Sequence, residues 1–474
     1  MSNYDVIVIG SGIGGLTAAG LLAKAGKTVM VLESHDRPGG YAHGFTRNRY
    51  HFDAGVHLIS GCGPRGYRGG QIIHNVLRAL QIDRDICFLN IDPFSQACYP
   101  DLRVGLSQSI ECFVETLGGL FPSEHKGLLG LIRLCLQVAE ELAVADEVMT
   151  EVGYQQAKQI MPALFKYRKA TLAEAAQMFI RDPKLLALFA TNWPYLGLPP
   201  SKVSFVYWSG MFIGYLADGA YYCKGGFQQF ANTLVRGLRQ AGGEIRYKST
   251  VEKIVIEHGR VAGITLKGQR LSAPVVISNA DIRHTVLELI PEQTFPASFI
   301  QRVQNMRHSL SMFVVYLATD IDIKTLNIGH ETFCYRDFDH DRNFAQTCQG
   351  EITWLSITVP TLVDPNLAPT GQHLLLLTTL LPYDARECWK KAKSEYIGAM
   401  LKIAGRYIPG LESRILFIEG GSPSTMWRYS RNYQGAAYGF EVSPGQIGPA
   451  RIPIQSPLEG LYFAGHWTSP GGGV

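Results

Sequence analysis

Apolar residues along this chain fall into two kinds of stretch. Short unbroken runs sit between glycines: Val6–Ile9, residues 28–32, Val275–Ser278 and residues 461–464. Runs of four or five apolar residues suit strands covered on both faces, as in a parallel sheet. Between the first two, residues 14–25 carry a helical pattern. A further helix opens at Lys224-Gly225-Gly226-Phe227, runs to about residue 241 and stops at Gly242-Gly243, before a strand over 244–247. A helix with glycine punctuation between strands is another β-α-β piece of the same sheet. Residues 251–258 and 261–266 predict a hairpin about Gly259. Residues 76–200 differ and read as mostly helical, with Leu/Ala-rich segments over 128–149 and 173–189. In the first of these, Arg133, Glu140, Glu141 and Asp146 leave a broad apolar face. Residues 312–318, 352–359 and 374–380 alternate with one helix near 384–405, as in an antiparallel sheet.

The first strand, helix and second strand carry chemistry. Gly10, Gly12 and Gly15 occupy the three glycine slots of a nucleotide-binding turn. The first makes the turn tight, the second admits a pyrophosphate, and the third lets helix pack on strand. The helix then aims its free N–H groups at the phosphate. Glu33, followed by Ser34, ends the second strand, where a carboxylate accepts ribose hydroxyls. Arg37-Pro38-Gly39-Gly40 adds a second glycine turn, and Phe52-Asp53-Ala54-Gly55-Val56-His57 follows. Two such turns suit a long, extended dinucleotide, FAD rather than NAD. The closing segment, residues 460–474, is a strand followed by a glycine-rich turn that can face a flavin or its pyrophosphate.

Composition narrows the setting. At 474 residues, 46% hydrophobic and 18% charged, the chain is globular and exceeds one small domain. The net charge of +4 is dispersed, and there is no Lys/Arg block of the kind that grips nucleic acid. Nine cysteines lie at irregular spacings with no C-x-x-C pair and no cluster with histidine at metal spacing, so no metal site is expected. An odd cysteine count suits a reducing compartment. With no signal peptide before the first strand, a cytoplasmic protein is expected, either free or attached to a membrane surface.

Taken together, these motifs resemble the FAD-dependent superfamily of phytoene desaturases, carotenoid cis–trans isomerases and retinol saturases. The resemblance runs through nearly the whole chain. It includes the N-terminal fingerprint, Gly219-Ala-Tyr-Tyr-Cys-Lys-Gly-Gly226, Val276-Ile-Ser-Asn-Ala-Asp281, Asp364-Pro-Asn-Leu-Ala-Pro369 and the terminal glycines. Gly197-Leu-Pro-Pro-Ser201 looks closest to the saturase and isomerase branch. The implied architecture is α/β: a Rossmann-type FAD-binding domain interleaved with a mixed α+β substrate domain that has an antiparallel sheet and a helical cap. The expected division is 1–75, 215–300 and 411–474 for FAD, and 76–214 and 301–410 for substrate. By position, Gly12, Gly14 and Gly15 would hold the pyrophosphate and Glu33 the ribose. Arg37, Gly39 and Gly40 would lie along the dinucleotide, and Val251 would meet the adenine. Asn279 joins this set, while Gly465, His466, Gly473 and Val474 would sit by the ribityl chain and ring. Many relatives carry an acid where this chain has His466. They also continue into a C-terminal helix beyond the glycine turn, which implies an open flavin end if the chain stops at Val474.

The implied substrate is a lipophilic polyene, a carotenoid or retinoid, desaturated, saturated or isomerised. Its tunnel would be apolar and aromatic. Tyr221, Tyr222, Trp427 and Tyr429 are candidates for that wall, with core packing as the alternative. Lys224 and Arg428 are candidates for orienting a polar end group, with surface solvation as the alternative. His57 is a candidate to face the flavin, or a satisfied structural histidine. The helical face over 128–149 packs on a core, or caps the tunnel and dips into a bilayer surface. Two other readings share the nucleotide motifs: a flavin amine oxidase, and a flavin-free isoprenoid-binding protein like the GDP-dissociation inhibitors.

Overall fold

The structure, a computed structural model, describes residues 4–472 apart from Ala385 and Glu387. One layer is a five-stranded parallel sheet in the spatial order Glu244–Arg246, Val29–Leu32, Val6–Ile9, Val275–Ser278, Leu461–Phe463. Val6 pairs with Val29 on one side and Val275 on the other, so the first strand lies at the centre. Its residues face alternately up and down. Val6 and Val8 join Ala19, Ala23 and Leu238 from the helices Ile13–Lys24 and Phe227–Gln240. Ile7 and Ile9 join Val276, Leu461 and Ile254 on the opposite face. That face is covered by a three-stranded antiparallel sheet, Lys253–Glu257, Arg260–Leu266 and Gln269–Ser272, and by the helix Ala297–Asn305. Burial on both faces explains the unbroken apolar runs.

The second layer is a seven-stranded sheet in the order Ile415–Gly421, Ser311–Thr319, His373–Leu381, Trp354–Thr358, Glu331–Tyr335, Ser95–Tyr99, Leu102–Leu106. Its pairings are antiparallel except for 331–335 against 95–99. One face packs on the helix Trp389–Ala404, the other on the main core beneath the helical layer.

Several expectations need correction. Residues 76–200 are not simply helical, because Phe88–Asn90, Ser95–Tyr99 and Leu102–Leu106 are strands, and two of them complete the large sheet. The segment 128–149 is two helices, His125–Ala143 and Ala145–Ile160, parted at Val144. Glu141, expected on the polar side, is buried and accepts the backbone N–H groups of Ala163 and Leu164. The segment 173–189 is also two helices, Leu172–Ala176 and Pro183–Phe189. Asp182 caps the second by accepting the N–H groups of Lys184 and Leu185. The helix expected near 384 begins at Trp389. Among the described residues no helix is long and apolar enough to cross a membrane.

Candidate functional site

A cleft opens at the carboxyl ends of the parallel strands, where ligands bind in open α/β sheets. Its floor is the glycine turn. Gly10 has φ +91°, which favours glycine. A Cβ on Gly15 would stand 2.4 Å from the Gly10 carbonyl oxygen, so this third glycine is what lets the helix sit so close to the strand. The helix Ile13–Lys24 starts at Gly12 with no side chain capping its N-terminus, which leaves the cleft end of the helix open to an anion.

The side chain of Asn279 fastens the two ends of the site together. A Cβ on Gly12 would lie 2.7 Å from its Nδ2, one on Gly14 3.1 Å from its Oδ1, and one on Gly465 2.5 Å from the same oxygen. Glycine at all three positions therefore leaves room for Asn279 and keeps the floor low. Across the cleft Gly39 donates to the Ser11 carbonyl at 2.9 Å, and a Cβ on Gly40 would meet the Gly12 Cα at 3.3 Å. Glu33 is buried at the end of its strand. One carboxylate oxygen accepts the N–H and hydroxyl of Ser11 at 2.8 and 2.7 Å, the other the N–H of His35 at 2.7 Å. The oxygen bound twice by Ser11 has both its lone pairs taken; the other also accepts the Ser34 hydroxyl at 3.3 Å, a long bond that a ribose hydroxyl can replace.

Gly10, Gly12, Gly14, Glu33, Ser34, Arg37, Gly39, Gly40, Val251, Asn279, Gly465 and His466 all line this one cleft. Gly15 lies just beneath it. Gly473 and Val474 lie outside the described residues. The sequence reading missed Tyr41, Asp281, His284, Arg431 and Asn432, which line it as well. Asp281 was visible as the end of the Ser-Asn-Ala-Asp motif; His284 sits on the helix Ile282–Leu287 that follows it, and Tyr41, Arg431 and Asn432 carry no signature. Tyr429, placed in the substrate wall by the sequence, instead stands at the cleft mouth beside His35 and His43.

At the far end, burial and the nearby Arg451 push the His466 imidazole down to about 3, so it is neutral at physiological pH. Arg451 is itself fully buried. Its guanidinium donates to the carbonyls of Thr468, Glu441, Gln446, Phe440 and His466, which binds the closing turn to residues 440–446.

Beyond His466 the interior is aromatic. A Cβ on Gly439 would touch His466, and the neighbouring Tyr438 hydroxyl donates to the Pro194 carbonyl at 2.8 Å. Tyr195 packs against Tyr215 and Phe333 at ring distances of 5.5 and 5.4 Å. Two buried polar pairs stand nearby. His57 Nε2 meets Glu331 Oε2 at 3.0 Å, and the Tyr222 hydroxyl donates to Asp53 at 2.5 Å. Burial pushes the Asp53 carboxyl up to about 6, against its hydrogen bonds from Tyr222 and Phe227. His57 therefore pairs with a buried acid and is not among the residues lining the cleft. The other wall candidates divide. Tyr222 is fully buried, whereas Trp427 is 51% exposed on the outside of its helix. Lys224 and Arg428 are exposed, the latter lying over Tyr429, and neither reaches the interior.

A parallel sheet, a glycine turn at an uncapped helix, an acid at the second strand and a glycine contact from the last strand define a dinucleotide-binding flavoprotein. The residues present fit FAD: a side chain on Gly12, Gly15 or Gly465 would strike Asn279 or the Gly10 carbonyl and force the floor of the cradle out of shape. The pattern that defines the flavin-containing amine oxidoreductases matches residues 13–474, and the chain belongs to that family. It is an FAD-dependent oxidoreductase. It is 28% identical to the chloroplastic prolycopene isomerase of Arabidopsis thaliana, across 100% of this chain and 80% of that one. It is 27% identical to the all-trans-retinol 13,14-reductase of Rattus norvegicus, across 97% of this chain and 82% of that one. An oxidoreductase from Methanosarcina mazei shares the fold, with a TM-score of 0.65 at 19% identity over 98% of this chain and 96% of the other.

Proposed function

We propose that this protein acts on C=C or C–C bonds of a lipophilic polyene, a carotenoid or retinoid, by desaturation, saturation or cis–trans isomerisation. The observation that carries this reading is the packed aromatic cluster beyond His466, where Tyr438 and Tyr195 stand behind the ring end of the cleft. Both relatives are named for polyenes, an isomerase of prolycopene and a reductase of retinol. Gly12, Gly14 and Gly15 would hold the FAD pyrophosphate, with Glu33 and Ser34 at the ribose and Val251 at the adenine. Arg37, Gly39 and Gly40 would lie along the dinucleotide, and Asn279, Gly465 and His466 would flank the ribityl chain and ring. Bound FAD supplies two-electron transfer. The chain's part is to orient the polyene and exclude water, with His466 kept neutral so that no extra charge stands at the ring. Charge spread over a conjugated chain needs little acid–base help. The domain division expected from the sequence is kept within this reading except at residues 415–421, which pair in the seven-stranded sheet; that sheet and the helical layer form the substrate side. Exposed Met149, Tyr154, Ile160 and Met178 on the helical layer support contact with a membrane surface, from which such a substrate would come.

The test is anaerobic mixing of the purified, flavin-loaded protein with polyenes and with amines, alongside the pigment profile of a host with and without it. Polyene-dependent change in flavin absorbance, or an altered polyene profile, is expected. Bleaching by amines alone would replace this reading with amine oxidation.

A further inference from the structure

Three neighbouring strands of the large sheet place a cation and two thiols in one row. Arg103 on Leu102–Leu106 stands opposite Cys98 on Ser95–Tyr99, and Cys98 stands opposite Cys334 on Glu331–Tyr335. Residues paired across adjacent strands turn their side chains to the same face. Both cysteines accordingly enter the core between the sheet and the helix Trp389–Ala404. Each is 1% exposed, and each thiol is free. Neighbouring strands lie about 4.8 Å apart, within the roughly 4.4–6.8 Å that a disulfide spans between its Cα atoms. A bridge also needs Cβ atoms about 3.5–4.5 Å apart, so the two strands must draw together slightly, and a bond made under that constraint is readily reduced.

The row is chemically lopsided. Burial pushes the thiols of Cys62, Cys135 and Cys223 up. Cys98 goes the other way: its contact with the Cys334 thiol and, against burial, the Arg103 guanidinium hold it below the ordinary value. Cys334 is raised, first by burial and then by Cys98. Cys98 therefore gives up its proton first, with a protonated thiol beside it. A thiolate next to a cation and a second thiol is the arrangement that oxidants find. Leu102–Leu106 is the edge strand of the sheet, so Cys98 lies one strand in from the rim. Its cover there is Arg103, an exposed side chain that donates to the Asn327 carbonyl at 2.7 Å and lies 5.6 Å over the Tyr407 ring.

We propose that Cys98 and Cys334 form an oxidation site, at which hydrogen peroxide converts the two thiols reversibly into a disulfide. The Cys98 sulfur attacks one peroxide oxygen, the O–O bond breaks, and Cys98 becomes a sulfenic acid as one water leaves. The Cys334 sulfur then attacks the Cys98 sulfur, the S–O bond breaks, and the disulfide forms as a second water leaves. Two electrons pass from the sulfurs to one peroxide, and both thiol protons end in the waters. The site stands apart from the polyene reading and needs nothing from it. Its product would fasten Ser95–Tyr99 to Glu331–Tyr335, whose alternate residues Ala97, Tyr99, Phe333 and Tyr335 face the main core. Phe333 packs on Tyr195 at a ring distance of 5.4 Å, so the bridge stiffens the sheet directly behind the aromatic cluster.

The test exposes the reduced, FAD-loaded protein to rising doses of hydrogen peroxide, blocks the remaining thiols with an alkylating reagent, and maps the peptides by mass spectrometry. Peptides joined through Cys98 and Cys334 are expected at a dose at least about ten-fold below the one that oxidises the exposed Cys87 and Cys112. Dithiothreitol should return both thiols. Cys334→Ser should leave Cys98 as a sulfenic acid that dimedone captures, whereas Cys98→Ser should leave Cys334 unlabelled. If either variant fails to fold, the map of the unaltered protein decides. A bridge that appears no earlier than oxidation of Cys87 and Cys112 overturns the proposal. So does persistence of both thiols, a bridge from Cys98 to any other cysteine, or dimedone capture at Cys334 in place of Cys98.

Discussion

Asp53 and Glu33 are both carboxylates near the cofactor turn, yet their surroundings set them to different tasks. Glu33 is held by the N–H and hydroxyl of Ser11 and the N–H of His35. Asp53 is 2% exposed, and burial raises it from 3.8 to about 6. Between those values the folded protein binds more protons than the unfolded chain. Stability from this group is therefore present in acid and is lost as the pH rises through about 6. Asp53→Asn has no proton to release. Relative to the unaltered protein, it should gain about 3 kcal/mol between about pH 4 and about pH 7. Denaturant unfolding of both proteins at the two pH values checks this, and a pH-independent difference contradicts it. At this scale the glycines and Glu33 were legible because each is fixed by backbone geometry that only its residue type satisfies. Glu331 was not. It is one acid in a strand, and its meaning comes from His57 and Thr358, which reach it from distant segments.

Elements carried their own signals unevenly. Strands of the parallel sheet are buried on both faces, and that burial writes itself as an apolar run. Ser95–Tyr99 is equally buried but carries Ser95 and Gln96, whose side chains bond Asn192 and Asn327, so no run appears. Breaks inside the helical layer come from Asp182 capping and from Glu141 turning back on a neighbouring helix, neither of which shows as a gap in hydrophobicity. The helix Ile282–Leu287 gives the clearest test of an element's attachment. Asp281 caps it through the N–H groups of Arg283 and His284, while its other oxygen accepts the N–H of Tyr433 at 2.6 Å. Asp281→Ala removes the cap and the bond that holds the Tyr433 N–H, and leaves a hole where a buried carboxylate stood. The expected loss is about 2–4 kcal/mol, read as a lower denaturant midpoint.

The molecule as a whole is organised around a cleft whose walls come from opposite ends of the chain. The pairing of glycine turn with terminal strand was legible because both carry glycines. The second layer was legible only as an antiparallel sheet, since its two strands from residues 95–106 join it across a long excursion in sequence. A ligand that binds the folded cleft and not the unfolded chain stabilises the whole. At about 100 times its dissociation constant, FAD should contribute about 2.7 kcal/mol, seen as a higher melting temperature than that of the stripped protein. Gly15→Val, which drives a side chain toward the Gly10 carbonyl 2.4 Å from its Cβ, should purify without flavin colour and show no such rise. An unchanged flavin content would show that the turn does not grip the cofactor.

Asn279 touching both the opening glycines and Gly465 has a consequence for how the protein is made. A ribosome translating this message exposes the amino-terminal groove early, but the Gly465 wall that completes it emerges only much later. Tight capture of the cofactor thus waits until that wall has emerged, and a nascent chain halted before residue 461 would display the groove yet let the vitamin-derived molecule slip away.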